Sequence, residues 1–136
     1  ATDDTASLES KVDTFVEDVV SEISPTSLPT PAPQNGCDAA KKICVSNRTS
    51  CLLNAYLTAV KQGLSEADAT AVAKCSDKFS GTLAAPESGC IARLEAKQRP
   101  DKPKTLCSVP HDDVAALEAK VDAFVTDVVR EIRNAP

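Results

Sequence analysis

Six cysteines are the side chains of this 136-residue chain that most clearly predict chemistry. They lie between residues 37 and 107, and no two of them have the short spacing of two to four residues that zinc ligands usually show. An even number of cysteines in a small chain is typical of a disulfide framework, which forms and persists outside the reducing cytosol. The sequence therefore predicts three disulfides and an extracellular or cell-surface location.

Catalytic chemistry has little support in the sequence. The single histidine, His111, has no evident nucleophile to activate, and the four glycines form no phosphate-binding loop. His111, Asp112 and Asp113 could hold a metal loosely, but one imidazole beside two adjacent acids makes no regular site. We therefore expect a protein that is not an enzyme and that uses no cofactor or metal.

The chain around the cysteines predicts a helical hairpin. Gly63 ends one helix, over 52–62, and Ser65 is placed to cap the next, over 66–79. The polar run Ser46–Ser50 indicates a break between this hairpin and an earlier helix that carries the first cysteines.

The spacing of the cysteines predicts how they pair. Cys37, Cys44 and Cys51 are seven residues apart, so on a helix they line one stripe. Cys51 and Cys75 each lie 12 residues from Gly63, and residues equidistant from the turn of a hairpin face each other. Six cysteines allow 15 pairings. The nested one that continues outward from the turn predicts the disulfides Cys51–Cys75, Cys44–Cys90 and Cys37–Cys107.

Two segments of the chain are near-copies of one another. "LESKVDTFVEDVVSEI" begins at Leu8 and "LEAKVDAFVTDVVREI" follows 109 residues later, and residues 3–23 match residues 112–132 at 15 of 21 positions. The apolar residues of both copies recur at helical spacing, which predicts two amphipathic helices. Short helices rich in valine are marginal in water, so each should need a surface to pack against.

Proline separates these helices from the cysteine region. The segment 24–36 has prolines at positions 25, 29, 31 and 33, which favours an extended arm that could reach roughly 40 Å. The predicted fold is all-α: a small disulfide-stapled helical module flanked by two near-identical amphipathic helices on proline-rich arms. Its predicted parts are an N-terminal helix at 1–23, a linker at 24–36, the module at 37–107 and a C-terminal helix at 108–136.

Charge and hydropathy exclude two classes of partner. The net charge of -5 repels a phosphate backbone, so we expect no nucleic-acid partner. No apolar run approaches the roughly 20 residues that cross a bilayer, so we expect no membrane span. The first residues also lack the basic and then apolar pattern of a signal peptide, so we interpret Ala1 as a mature or internal start.

Sugar attachment is a further expectation for a secreted chain. Asn47, Arg48 and Thr49 form an N-glycosylation sequon. The Ser, Thr and Pro mixture of the linker favours O-linked sugars. The predicted acceptor residues are Asn47, Thr26, Ser27 and Thr30.

The duplicated helix leaves three functional hypotheses. In the first, the chain is a unit of an extracellular filament, coat or matrix, and its copies or repeats associate head to tail through the end helices. In the second, the two helices pair within one chain and close a bundle that carries an apolar ligand. In the third, each helix docks in a groove of another protein. We favour the first, in which the self-association residues are Leu8, Val12, Phe15, Val19, Leu117, Val121, Phe124 and Val128.

Overall fold

Five α-helices make up the fold in a computed structural model that describes residues 5–24 and 36–134. Two single-turn 3₁₀ helices, Pro86–Ser88 and Pro103–Thr105, lie in the connections, and the described residues contain no strand. The fold is therefore all-α, as predicted. The helices are α1 (Thr5–Ile23), α2 (Gly36–Lys61), α3 (Ala69–Ser80), α4 (Cys90–Ala96) and α5 (Val114–Asn134).

The longest helix, α2, is the centre of the fold. It runs without interruption for 26 residues, so the predicted break at Ser46–Ser50 is wrong. The hydroxyl of Thr49 donates to the carbonyl oxygen of Val45 at 2.8 Å, which satisfies this polar side chain within the helix. A hydroxyl that bonds one turn back does not need to end a helix.

The predicted hairpin is formed by α2 and α3. Gly63 adopts a φ of 70°, a left-handed conformation that glycine accepts without strain, and the chain reverses there. The predicted cap is wrong by one turn. Asp68 rather than Ser65 caps α3, because the Asp68 carboxylate accepts a hydrogen bond from the backbone N–H of Ala71.

Three nested disulfides fasten other parts of the chain to α2. Cys51 is bonded to Cys75 on α3, and Cys44 is bonded to Cys90 at the start of α4. Cys37 is bonded to Cys107, which precedes the last helix. These are the pairs of the predicted nested scheme. A cysteine on every second turn of α2 places three sulfur atoms on one side of that helix, so all three bridges start from the same side. We call residues 37–107 the stapled module.

The apolar core surrounds α2 and takes residues from all five helices. It contains Val45 and Leu52 from α2, Phe79 from α3 and Ile91 from α4, together with valines from α5. The last turns of α1 add Val19 and Ile23, both buried. Residues 25–35, which hold the prolines of the predicted arm, and the predicted acceptors Thr26, Ser27 and Thr30 lie outside the described residues.

Candidate assembly interface

The last helix, α5, covers the stapled module with one apolar face. Leu117 and Val121 are completely buried, and Val125 and Val129 are 1% and 6% exposed. Each buried aliphatic side chain contributes about 1.5–3 kcal/mol relative to exposure. This contact therefore holds α5 on the module.

An arginine of α2 fixes the position of α5 on that surface. Arg48 is buried, and its Nη2 lies 2.8 Å from Asp122 Oδ1 and 3.5 Å from Glu118 Oε1. Its guanidinium also lies 5.3 Å from the centre of the Phe79 ring. Since Glu118 and Asp122 lie one turn apart on α5, the two acids meet the single cation from one helix face.

A second cation of α2 holds the start of α5. Lys41 is completely buried, and its Nζ donates to Asp113 Oδ2 at 2.8 Å and to the carbonyl oxygen of Val109 at 2.7 Å. Glu95 Oε2 lies 3.8 Å from the same nitrogen. We call the module surface that carries Lys41 and Arg48 the α5-binding face.

Burial changes the titration of Glu95. Desolvation raises the pKa of the Glu95 carboxyl above its usual value of 4.5, and the attraction of Lys41 lowers it by less. Asp113 and Asp112 raise the pKa further, whereas His111, whose Nδ1 lies 3.7 Å from Glu95 Oε2, lowers it. The folded protein therefore keeps this proton at pH values where the unfolded chain has lost it.

We expect Glu95→Gln to stabilise the fold above the raised pKa. In the wild type, the contribution of Glu95 to the free energy of unfolding falls as pH rises from 4.5 through its raised folded pKa, because in that interval its carboxyl binds more protons in the folded state. Glutamine does not titrate and removes this fall. Urea unfolding across pH 4–8 should show the variant gaining stability relative to the wild type as pH rises.

The exposed carboxylate Glu87 provides the control, because Glu87→Gln should follow the wild-type pH profile. A Glu95→Gln chain that loses stability relative to the wild type as pH rises would contradict the expectation. It would mean that attraction to Lys41 outweighs desolvation.

The two end helices pair with each other in antiparallel fashion. Phe15 and Phe124, which occupy equivalent positions in the two copies, stack with ring centres 4.2 Å apart and planes 12° apart. Lys11, one turn before Phe15, lies 3.7 Å from Asp127, just after Phe124. Because equivalent residues meet at its centre, the contact approximates the two-fold symmetric interface of identical helices.

One face of α1 has no cover. Val12, Val16 and Val20 are 43%, 51% and 38% exposed, and we call these three residues the α1 stripe. Their counterparts in α5 are Val121, Val125 and Val129, which are buried. The same side chains at the same helical spacing are therefore covered in one copy and open in the other.

A groove runs beside this stripe between α1 and α2. It has a volume of about 320 Å³, and Val19, Val45 and Phe124 line it together with the α1 stripe. Lys42, Ser46, Thr49 and Ser50 also line it. The groove can hold apolar atoms along one wall and polar groups along the other.

The structure separates the predicted self-association residues into two groups. Leu117, Val121 and Val128 lie in the core of their own chain, and Val19 is also buried, so in this arrangement they are not available to another copy. Phe15 and Phe124 stack on each other, Leu8 is half-buried, and Val12 is exposed. The sequence analysis did not select Val16 and Val20, although their match with Val125 and Val129 is visible in the two copies.

The remaining predictions concern glycosylation, metal binding and a membrane span. Asn47 is exposed on α2. In the described ranges, no group of three or more His, Cys, Asp or Glu side chains could hold a metal ion. None of the helices in the described part of the chain has the length and apolar character needed to cross a membrane.

Comparison with known proteins gives no relative for this chain. No protein-family model, curated protein or solved structure matches it. A proposal about function therefore depends on the geometry described above.

Proposed function

We propose that this protein is a structural subunit whose copies associate through the first helix into an extracellular filament, coat or matrix. The observation that carries the proposal is the α1 stripe. Val12, Val16 and Val20 are open to solvent in α1, whereas α5 uses the same three positions to bind a protein surface. The proposal assigns the chain a binding role and no catalytic one.

The size of the stripe sets the strength expected of such contacts. Covering three half-exposed valines would contribute about 2–3 kcal/mol. Association costs more than this in lost translational and rotational freedom. We therefore expect an interface larger than the stripe alone, and an assembly that depends on protein concentration.

We expect Val16→Asp to weaken self-association. Val16 is the most exposed residue of the stripe, so aspartate should leave the fold of the single chain nearly unchanged. A carboxylate at the centre of an apolar contact would have to be desolvated, which should lower the association constant at least about tenfold. Sedimentation velocity over a concentration series measures this effect.

Thr14→Asp is the matched control, because Thr14 is exposed on the same helix and the substitution adds the same charge. It should leave association unchanged. A wild-type chain that stays strictly monomeric at high concentration would contradict the proposed function.

The groove between α1 and α2 favours a second candidate function, the carriage of an apolar ligand with an anionic head group. Its valine-rich wall fits an acyl chain, and Lys42 provides a cation in the lining. Organic extraction of purified protein followed by mass spectrometry tests this function. Recovery of a stoichiometric fatty acid would support a carrier, and its absence from protein that assembles would favour the structural role.

The disulfides and the exposed Asn47 bear on the cellular location and the glycosylation of the chain. Three disulfides are compatible with a secreted protein. We propose an extracellular or cell-surface location and glycosylation at Asn47, whose exposure on α2 supports access. A mass shift on enzymatic deglycosylation of protein from a secreting cell tests the attachment.

A further inference from the structure

We propose that the partner of α1 is the α5-binding face of another copy of the stapled module, which α1 occupies in the register of α5. This inference rests on the proposed function and names the partner. The end helices would then exchange between copies: α1 of one chain takes the place of α5 on the next.

The positions that differ between the two helices support this assignment. Only six of the 21 aligned positions differ, and they are Thr5/Val114, Ser7/Ala116, Ser10/Ala119, Thr14/Ala123, Glu17/Thr126 and Ser21/Arg130. At 100° per residue, the last five fall on the side of the helix opposite the apolar face. The counterparts in α1 of Leu117, of Val121, Val125 and Val129, and of Glu118 and Asp122 are therefore the same residues. The difference on the apolar side is Thr5, in place of Val114, which packs against the core.

The acidic residues of α1 match those that contact Arg48. Glu9 and Asp13 are the counterparts of Glu118 and Asp122, and both are exposed. Within the described ranges, neither forms an ion pair. An Arg48 from another copy would give Glu9 and Asp13 the contact that α5 already makes.

Charge also selects a module rather than a second α1 as the partner. α1 has five acidic residues and one basic residue, a net charge of -4. Two such helices placed stripe to stripe would bring like charges together. The stapled module, at residues 37–107, has eleven basic and seven acidic residues, a net charge of +4, so it attracts α1.

An exchange of this kind requires α5 to leave its place, and α1 to withdraw its buried residues Val19 and Ile23 from the core of its own chain. The apolar contacts that α5 gives up and those that the incoming α1 forms involve the same residue types and nearly cancel. The net attraction then comes from the opposite charges of α1 and the stapled module. Each chain then offers one free helix and one binding face that are not self-complementary. Interfaces of this type propagate from copy to copy and produce a filament when they do not close into a ring.

The same substitution at equivalent positions should have opposite effects. Val16→Ala weakens only the incoming helix and should lower the association constant about tenfold, from the loss of two buried carbon atoms. Val125→Ala weakens only the resident helix, α5, and should raise the association constant by a similar factor. The double variant Val16→Ala, Val125→Ala should return to the wild-type value, because it restores the balance between the two helices.

Sedimentation velocity of these four chains and of Val16→Asp separates the possible outcomes. If Val125→Ala aggregates only because its fold is weaker, the double variant will aggregate as much, and the exchange is refuted. In a second outcome, the wild type associates and Val16→Asp weakens the association, but Val125→Ala leaves association unchanged or lowers it. The proposed function then stands and the exchange fails. If no chain associates, both fail.

A charge variant provides a second test. Asp13→Lys should lower the association constant about two- to fivefold, because it places a cation opposite the partner's Arg48. Asp18→Lys, which makes the same charge change about 140° around the helix from Asp13 at an exposed position, should have no such effect. Equal effects of the two variants would show that only net charge matters and would overturn the assigned register.

Discussion

Replacing the buried Lys41 by methionine should reduce the free energy of unfolding by about 3–5 kcal/mol. Lys41 is completely buried and Asp113 is 1% exposed, so removal of the ammonium group leaves a buried carboxylate without its cation. The carbonyl oxygen of Val109 also loses its donor. Methionine keeps the side-chain volume, so the loss reports charge and hydrogen bonding rather than a cavity.

Urea unfolding at neutral pH measures this effect, with Lys42→Met as the matched control. Lys42 is the next residue on α2 and is exposed, so its replacement should change stability little. A Lys41→Met chain as stable as the control would show that the buried ion pair contributes nothing. Replacing Asp113 by leucine in the Lys41→Met chain should recover part of the loss, because no unpaired charge then remains there.

Removing the disulfide between Cys44 and Cys90 should cost a similar amount, about 4 kcal/mol, because the bridge closes a separation of 46 residues in the unfolded chain. The bridge also attaches α4, which has only seven residues and would not be a stable helix by itself. A chain with both cysteines changed to alanine should therefore lose the order of α4. The stability of the end helices, which depends on other interactions, should be affected less.

Urea unfolding gives the total loss, and amide hydrogen exchange shows where it occurs. Protection should fall most at α4, which includes the buried Ile91. The Cys51–Cys75 pair, with a separation of 24 residues, provides the comparison, since its removal should loosen α3 and leave α4 bonded to α2. Uniform loss of protection across all helices in both variants would contradict the assignment of one disulfide to each attached element.

These stability predictions bear on the proposed assembly, because Lys41 and Arg48 hold α5 in place. The α1 of a neighbouring copy would meet the same two cations on the α5-binding face. Asp4 corresponds to Asp113 in the aligned copies, although Asp4 lies outside the described residues. In a Lys41→Met chain, α5 and an incoming α1 lose the same cation, so the substitution should lower stability without favouring either helix.

Local sequence patterns predicted much of the fold. The heptad spacing of Cys37, Cys44 and Cys51, with a turn at Gly63, predicted a helical hairpin and the pairs that the structure contains. The 3.6-residue periodicity of the two copies predicted both end helices. These features could be read from the sequence because helix periodicity, turn residues and cysteine spacing depend on residues close together in the chain.

The tertiary structure alone decided which copy of the repeated helix is covered. α1 and α5 have the same apolar pattern, so no local signal distinguishes Val16, which is open, from Val125, which is buried. The difference arises from the connections, since six residues and the Cys37–Cys107 bridge hold α5 close to the module, whereas a longer proline-rich segment precedes α2. The burial of Lys41 and Arg48 likewise depended on partners about 70 residues away. The sequence determined two equivalent helices, and the short connection of one of them to the module decided which helix became part of the core.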